Sequence, residues 1–196
     1  MSSIPGNDPG AGTGAIAPAT AADVAALVAL VNGAYRGEGS RRGWTTEADL
    51  LGGQRTDPEG IAALIDAPGH VILLLRDPSG LAACVLLEEK PGRTCYLGML
   101  TVRPDLQGGG IGRRLLAGAE AYARDRVGAV AMEMTVIDVR HELIAWYERR
   151  GYIRTGEERP FPYGDERFGL PQRGDLRFTV LRKELQPSEG GHSALP

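Results

Sequence analysis

Between Leu100 and Leu116 the chain reads Leu-Thr-Val-Arg-Pro-Asp-Leu-Gln-Gly-Gly-Gly-Ile-Gly-Arg-Arg-Leu-Leu, and its capacity for chemistry concentrates there. An apolar, strand-like run stops at Pro104, glycines follow at Gly108, Gly109, Gly110 and Gly112, and Ile111, Leu115 and Ala119 then recur at helical spacing. A glycine-rich turn that opens onto a helix presents several main-chain N–H groups at the positive end of the helix dipole, worth about half a unit charge. Glycine lets an anion approach that backbone without a Cβ in the way. Arg113 and Arg114, in the first helical turn, can add charge-assisted bonds to phosphate oxygens. The residues therefore specify a site for a phosphate-bearing ligand. The spacing Gly108-x-Gly110-x-Gly112 is not the Gly-x-Gly-x-x-Gly of a dinucleotide fold, and no Gly-Lys-Ser/Thr closes the loop as in a Walker motif.

The elements that must hold this loop are legible from hydrophobic period. Val24, Leu27, Val28 and Val31 predict a helix that ends near Asn32-Gly33. Thr46-Glu-Ala-Asp resembles a capping sequence and predicts a second short helix, and Gly60–Ile65 a further helical piece. Val71–Leu75, Leu81–Leu87 and Cys95–Val102 are apolar runs separated by Asp77-Pro-Ser-Gly80 and Lys90-Pro91-Gly92, which predicts an antiparallel meander. Ile111 to Arg126 follows as an amphipathic helix, Val130–Val136 as a strand, and His141–Arg149 as a helix closed by Gly151. Tyr152–Thr155 and Leu176–Leu181 are the last strands, so the fold class is α/β with a mixed, mostly antiparallel sheet and helices on both faces.

The balance of the 196 residues narrows the function classes. With 42% apolar residues and a net charge of −3, one domain over residues 15–185 is expected, and nothing electrostatic calls for a nucleic acid. Met1–Gly14 and Gln186–Pro196 carry too few apolar side chains to offset ordering entropy and are expected to be disordered. No basic segment followed by an apolar run opens the chain, and no apolar stretch approaches the roughly 20 residues of a membrane span. Cys84 and Cys95 lie in apolar runs without metal-ligand spacing, so buried reduced thiols, no metal and a cytoplasmic setting are expected.

Gln107-Gly-Gly-Gly110-Ile-Gly112, preceded by Val102 and Pro104, resembles the Gln/Arg-x-x-Gly-x-Gly/Ala signature of the GNAT acetyltransferases. Downstream, Trp146-Tyr147-Glu-Arg-Arg-Gly151-Tyr152 is similar to the aromatic ending of that family's next helix. The resemblance covers about Val71 to Leu185 and implies the GNAT fold, a sheet splayed at the cofactor site, and acetyl-CoA as acetyl donor to a small-molecule or peptide amine. It implies that backbone groups of Leu100, Thr101 and Val102 pair with the pantetheine arm, as an added strand would. It further implies that main-chain amides from Gln107 through Gly108, Gly109, Gly110, Ile111 and Gly112 to Arg113 hold the pyrophosphate, and that Tyr147 protonates the departing thiolate. A phenol with a pKa of about 10 can donate to a thiolate whose conjugate acid lies near about 8.5; outside this motif Tyr147 reads as a core residue beside Leu143 and Ile144.

The general base departs from the family pattern. The positions where family branches place a glutamate are Tyr96 and Thr135 here, so Glu133, on the same strand face as Thr135, is the expected substitute and Glu88 the second. A non-catalytic CoA-binding module stays open for that reason. Arg140 stands where many members carry Asn, and at a helix start its charge calls either for a carboxylate or phosphate nearby or for a salt bridge with Asp138 or Glu142, the simpler expectation. The resemblance implies an acceptor pocket between Tyr35, Arg36, Arg41, Arg42 and Trp44 on one side and Phe161, Pro162 and Tyr163 on the other, and a monomer or homodimer is expected.

Overall fold

The computed structural model describes residues 14–36, 40, 43–165 and 169–187. The expected terminal tails therefore lie, apart from Gly14, Gln186 and Pro187, outside the described residues, as do Arg41 and Arg42. The chain begins with β1 (Ala17–Pro18) and α1 (Val24–Tyr35), followed by β2 (Leu51–Gly52) and α2 (Pro58–Asp66). The meander β3 (His70–Asp77), β4 (Gly80–Lys90) and β5 (Thr94–Val102) leads into α3 (Ile111–Tyr122) and β6 (Ala131–Ile137). Then come α4 (His141–Glu148), β7 (Ile153–Pro160), β8 (Leu170–Pro171) and β9 (Arg177–Glu184). The main sheet has the order β1-β3-β4-β5-β6-β9-β7; β5–β6 is its parallel contact and the other pairs are antiparallel.

Alternation along the central strands feeds two cores. Leu73, Leu75, Val85 and Leu87 pack with Leu115, Leu116 and Ile144 from α3 and α4, whereas Ile72, Leu74, Cys84 and Leu86 pack with Leu27, Val31 and Ile61 from α1 and α2. Both faces are buried, which is why these strands read as unbroken apolar runs. A third cluster of Leu51, Ile137, Phe161 and Leu176 sits under the small β2–β8 ribbon.

Local capping sets the helix starts. Asp57 accepts from the Gly60 amide at 2.6 Å with Pro58 in the first turn, and Thr20 and Asp23 bond reciprocally ahead of α1. The helix expected from Thr46 is instead a turn. Its hydroxyl accepts from the Ala48 amide, and the Leu50 and Leu51 amides both close on the Glu47 carbonyl. Ser and Thr offer the backbone such local bonds in competition with a helix.

Both cysteines are buried and unbridged, and burial pushes the Cys84 thiol up to about 12 and the Cys95 thiol up to about 11. Their folded values lie above the unfolded value near 9, so above that pH the unfolded chain sheds protons that the fold retains. Each buried thiol then subtracts about 1.4 kcal/mol of stability per pH unit. Thermal melts should show a Tm that falls progressively from pH 9 to 11, with a shallower fall in Cys84→Ala; a flat Tm over that range contradicts the burial of these thiols.

Candidate active site

The site begins where two parallel strands part. β5 and β6 pair only through Thr94–Ala131, Cys95–Met132 and Tyr96–Glu133, and beyond Tyr96 they diverge. A register shift between Cys84 and Leu86 bends β5 at this point, with Met99 held at a φ of 52°. Thr101 fixes that bulge by donating its hydroxyl to the Met99 carbonyl at 2.9 Å. The Arg103 amide bonds to the Ala82 carbonyl of β4, so by alternation the main chain of Leu100 and Val102 faces the open fork while that of Thr101 faces β4. The Tyr35 hydroxyl donates to the Leu100 carbonyl at 2.8 Å and the Gln107 side-chain amide to the Val102 carbonyl at 3.1 Å.

The glycine loop closes one end of the fork. Gly108 and Gly110 take φ of 86° and 84°, the left-handed region where a Cβ is penalised, and Gly110 caps α3. A Cβ on Gly112 would touch Val102 and Trp146 at 3.5 and 3.6 Å, so this glycine lets α3 start against both. The Ile111 side chain turns into the core, leaving its main chain to the loop. Arg113, Arg149 and Arg150 line the same end. The Arg150 guanidinium lies 3.6 Å from the Trp146 ring centroid and donates to the Trp146 carbonyl, while its Nε is buried without a partner. Desolvation, then the like charges of Arg149 and Arg113, lower its pKa. Three cations crowd one end of a cleft, an arrangement that an anion relieves.

The cleft between fork, loop and α4 holds about 840 Å³, and Tyr147 lines it together with Tyr35, Trp44, Thr45, Leu143 and Trp146. Tyr147 is held edge-on between Trp146 and Tyr152, with centroids at 4.9 and 5.7 Å. Burial, and next the neighbouring Tyr35, push its phenol well above the ordinary value, so the proton stays on at neutral pH. A fully protonated hydroxyl in the cleft is a donor and not a base.

Arg140 and Thr45 also line the cleft, and a buried ion cluster lies behind them. Glu47 takes Arg36 on one carboxylate oxygen and Arg140 on the other, both at 2.7 Å, and Arg140 also donates to the Thr45 hydroxyl. Burial raises the Glu47 pKa, but Arg140, Arg55 and Arg36 more than offset this and hold the carboxyl below its usual value, making it a poor base. Arg140 thus reaches residue 47 and not the expected Asp138 or Glu142.

Several expected site residues stand elsewhere. Glu133 lies at the closed base of the fork, because its pairing with Tyr96 is the last before the strands part; it is bonded to Arg159 at 2.9 Å and lines a separate cavity of about 280 Å³ with Tyr96, Lys90 and Thr94. Glu88 is paired with Lys90. Tyr96 and Thr135 meet hydroxyl to hydroxyl at 2.7 Å. Phe161 is buried in the third core cluster and Tyr163 bonds to the Arg173 carbonyl and the Leu176 amide, so neither lines the cleft. Arg149, Arg150, Thr45 and Glu47 were not anticipated. The two arginines read as cations complementing a helix C-terminus, and the Glu47 partners are 11 and 93 residues away.

Residues 26–152 match the sequence profile of the acetyltransferase (GNAT) family. The chain belongs to that family. It is 35% identical over 118 residues to a mycothiol acetyltransferase of Salinispora arenicola (58% of this chain, 36% of the relative), and 33% identical over 138 residues to that of Salinispora tropica (68% and 42%). The chain thus spans about two-fifths of the length of these relatives. In fold it is similar to the Escherichia coli ribosomal-protein-S18-alanine N-acetyltransferase (TM-score 0.64, 17% identity, 94% of this chain and 100% of that one). It is also similar to a Salmonella typhimurium protein solved with acetyl-CoA as its cofactor (TM-score 0.65, 19% identity, 93% and 99%).

GNAT acetyltransferases take acetyl-CoA as donor, and the cleft suits it. The left-handed glycines leave the loop amides uncovered beside Arg113, Arg149 and Arg150, matching the phosphates, and the open edge of β5 matches an amide-bearing arm.

Proposed function

We propose that this GNAT chain is an N-acetyltransferase that moves the acetyl group of acetyl-CoA to a primary amine by direct attack in a ternary complex. The observation that carries the reading is a protonated phenol, Tyr147, lining the same cleft as the glycine loop and the open strand edge, while the other phenol there, Tyr35, is already bonded to the Leu100 carbonyl. Acetyl-CoA supplies the activated thioester. The loop amides with Arg113, Arg149 and Arg150 bind the phosphates, and Leu100 and Val102 align the arm. As the amine nitrogen bonds the acyl carbon and the C–S bond breaks, Tyr147 gives its proton to the leaving sulfur. The proton lost by the amine passes to water, because Glu47 is neutralised by two guanidiniums and Glu133 lines the other cavity. Two reduced, buried thiols fit a cytoplasmic setting.

The test is release of free thiol when acetyl-CoA is mixed with the protein and single primary amines, with the product checked by mass for a new N-acetyl group. Amine-dependent thiol release with acetylated product supports the reading. Saturable acetyl-CoA binding with no amine-dependent release from a broad panel contradicts it and favours a binding module.

A further inference from the structure

We infer that the acceptor carries an anionic group, of the carboxylate kind found on amino acids, and that Arg140 seats it; this rests on the acetyltransfer reading above. Arg140 stands at the start of α4, two helical turns before Tyr147, and its side chain lines the cleft beside Tyr35 and Thr45. It spends one N–H on Glu47 and one on Thr45, and the rest of its planar fork bonds no described residue.

The charge around it does not balance among the described residues. One carboxylate, Glu47, faces two guanidiniums, with side chains of Glu47, Arg36 and Arg140 only 10%, 6% and 10% exposed. Arg55 adds a third cation, 5.8 Å from the Tyr35 ring. The Nε and Nη2 of Arg36 are buried and bond no described residue. An uncompensated cation in a partly dehydrated cleft favours an incoming anion, and Arg recognises a planar carboxylate through two parallel N–H bonds.

The same excess decides which amines are disfavoured. An ammonium or a polyamine brings further positive charge towards Arg140, Arg36 and Arg55, whereas an amino acid brings its own compensating carboxylate. A cationic surround also disfavours the protonated amine. The carboxylate of a free amino acid raises its α-amino pKa above the about 8 of a peptide N-terminus, yet it still loses its proton more readily than an alkylamine at about 10.4. A cleft whose described lining holds no carboxylate suits the former.

The experiment measures thiol release for matched pairs, each amino acid against its own amide, with 2-aminoethylphosphonate and spermidine added. The free acid should exceed its amide roughly 10- to 100-fold in kcat/KM, the range of a charge-assisted bond, and spermidine should be poor. Arg140→Lys keeps a cation for Glu47 but loses the fork. It should raise KM for the acid about 10-fold or more, shrink the acid–amide ratio, and leave the thermal shift by acetyl-CoA unchanged. The wild-type acid–amide comparison stands even if the variant misfolds. Equal rates for acid and amide, or a preference for spermidine, overturn this inference while leaving acetyltransfer intact. No thiol from any amine contradicts the acetyltransfer reading and this inference with it.

Discussion

Tyr147→Phe should lower kcat roughly 100- to 10,000-fold, the usual worth of a positioned proton donor, with a much smaller change in KM for acetyl-CoA. The hydroxyl is the only atom removed, and it acts in the step that expels the sulfur and hardly at all in the ground state. The ring keeps its edge contacts with Trp146 and Tyr152, so folding should be little affected. Because burial raises the phenol's pKa, no loss of rate assignable to this group should occur below pH 10. Steady-state and single-turnover rates on the two proteins decide it, and an unchanged single-turnover rate would mean that Tyr147 only packs.

Gly110→Val should weaken acetyl-CoA binding roughly 30- to 150-fold, equivalent to about 2–3 kcal/mol. The structure shows where that cost arises. A Cβ here meets only Arg113 Nη2, at 3.9 Å, so there is room on the protein side. The backbone, at φ 84°, is in the region a β-branched residue avoids, and the new methyls stand over the amides that face the phosphates. Moving the loop out of that region dismantles the site, while the core under Ile111 and Leu115 stays packed. The melting temperature without ligand should drop modestly, and acetyl-CoA at a concentration that stabilises the wild type should no longer raise it. A full wild-type shift in the variant would place the phosphates elsewhere.

What was legible in the sequence was what local chain chemistry decides. Gly108 and Gly110 announce a loop because their left-handed conformations need no information from afar, and the meander announces itself because buried strands read as apolar runs. The two-residue strands β1, β2 and β8 left no such trace; they exist because Ala17, Leu51 and Pro171 meet partners placed by the rest of the fold. Glu133 shows the limit of strand period as a guide. It does share a face with Thr135, but the strands part only after its level, and alternation alone says nothing about where a fork opens. Phe161 and Tyr163 were expected at the acceptor because the resembled family builds that pocket partly from the loop between its last two strands, yet Phe161 packs on Ile137, Leu176 and Phe178, and Tyr163 packs on Phe161. The cluster Arg36–Glu47–Arg140 was hidden for a further reason, since a buried charge can be paired with any opposite charge in the chain until the fold brings one to it.

Calorimetric titration of the unaltered protein with acetyl-CoA tests most directly whether the cleft from Leu100 to Arg150 is a donor site. Saturable binding of acetyl-CoA near one per chain is the predicted result, with S-acetylpantetheine, which lacks the phosphates assigned to the glycine loop, Arg113, Arg149 and Arg150, binding more weakly and ATP or NAD not competing. Clear binding of ATP or NAD, with no saturable heat from acetyl-CoA, would contradict the account.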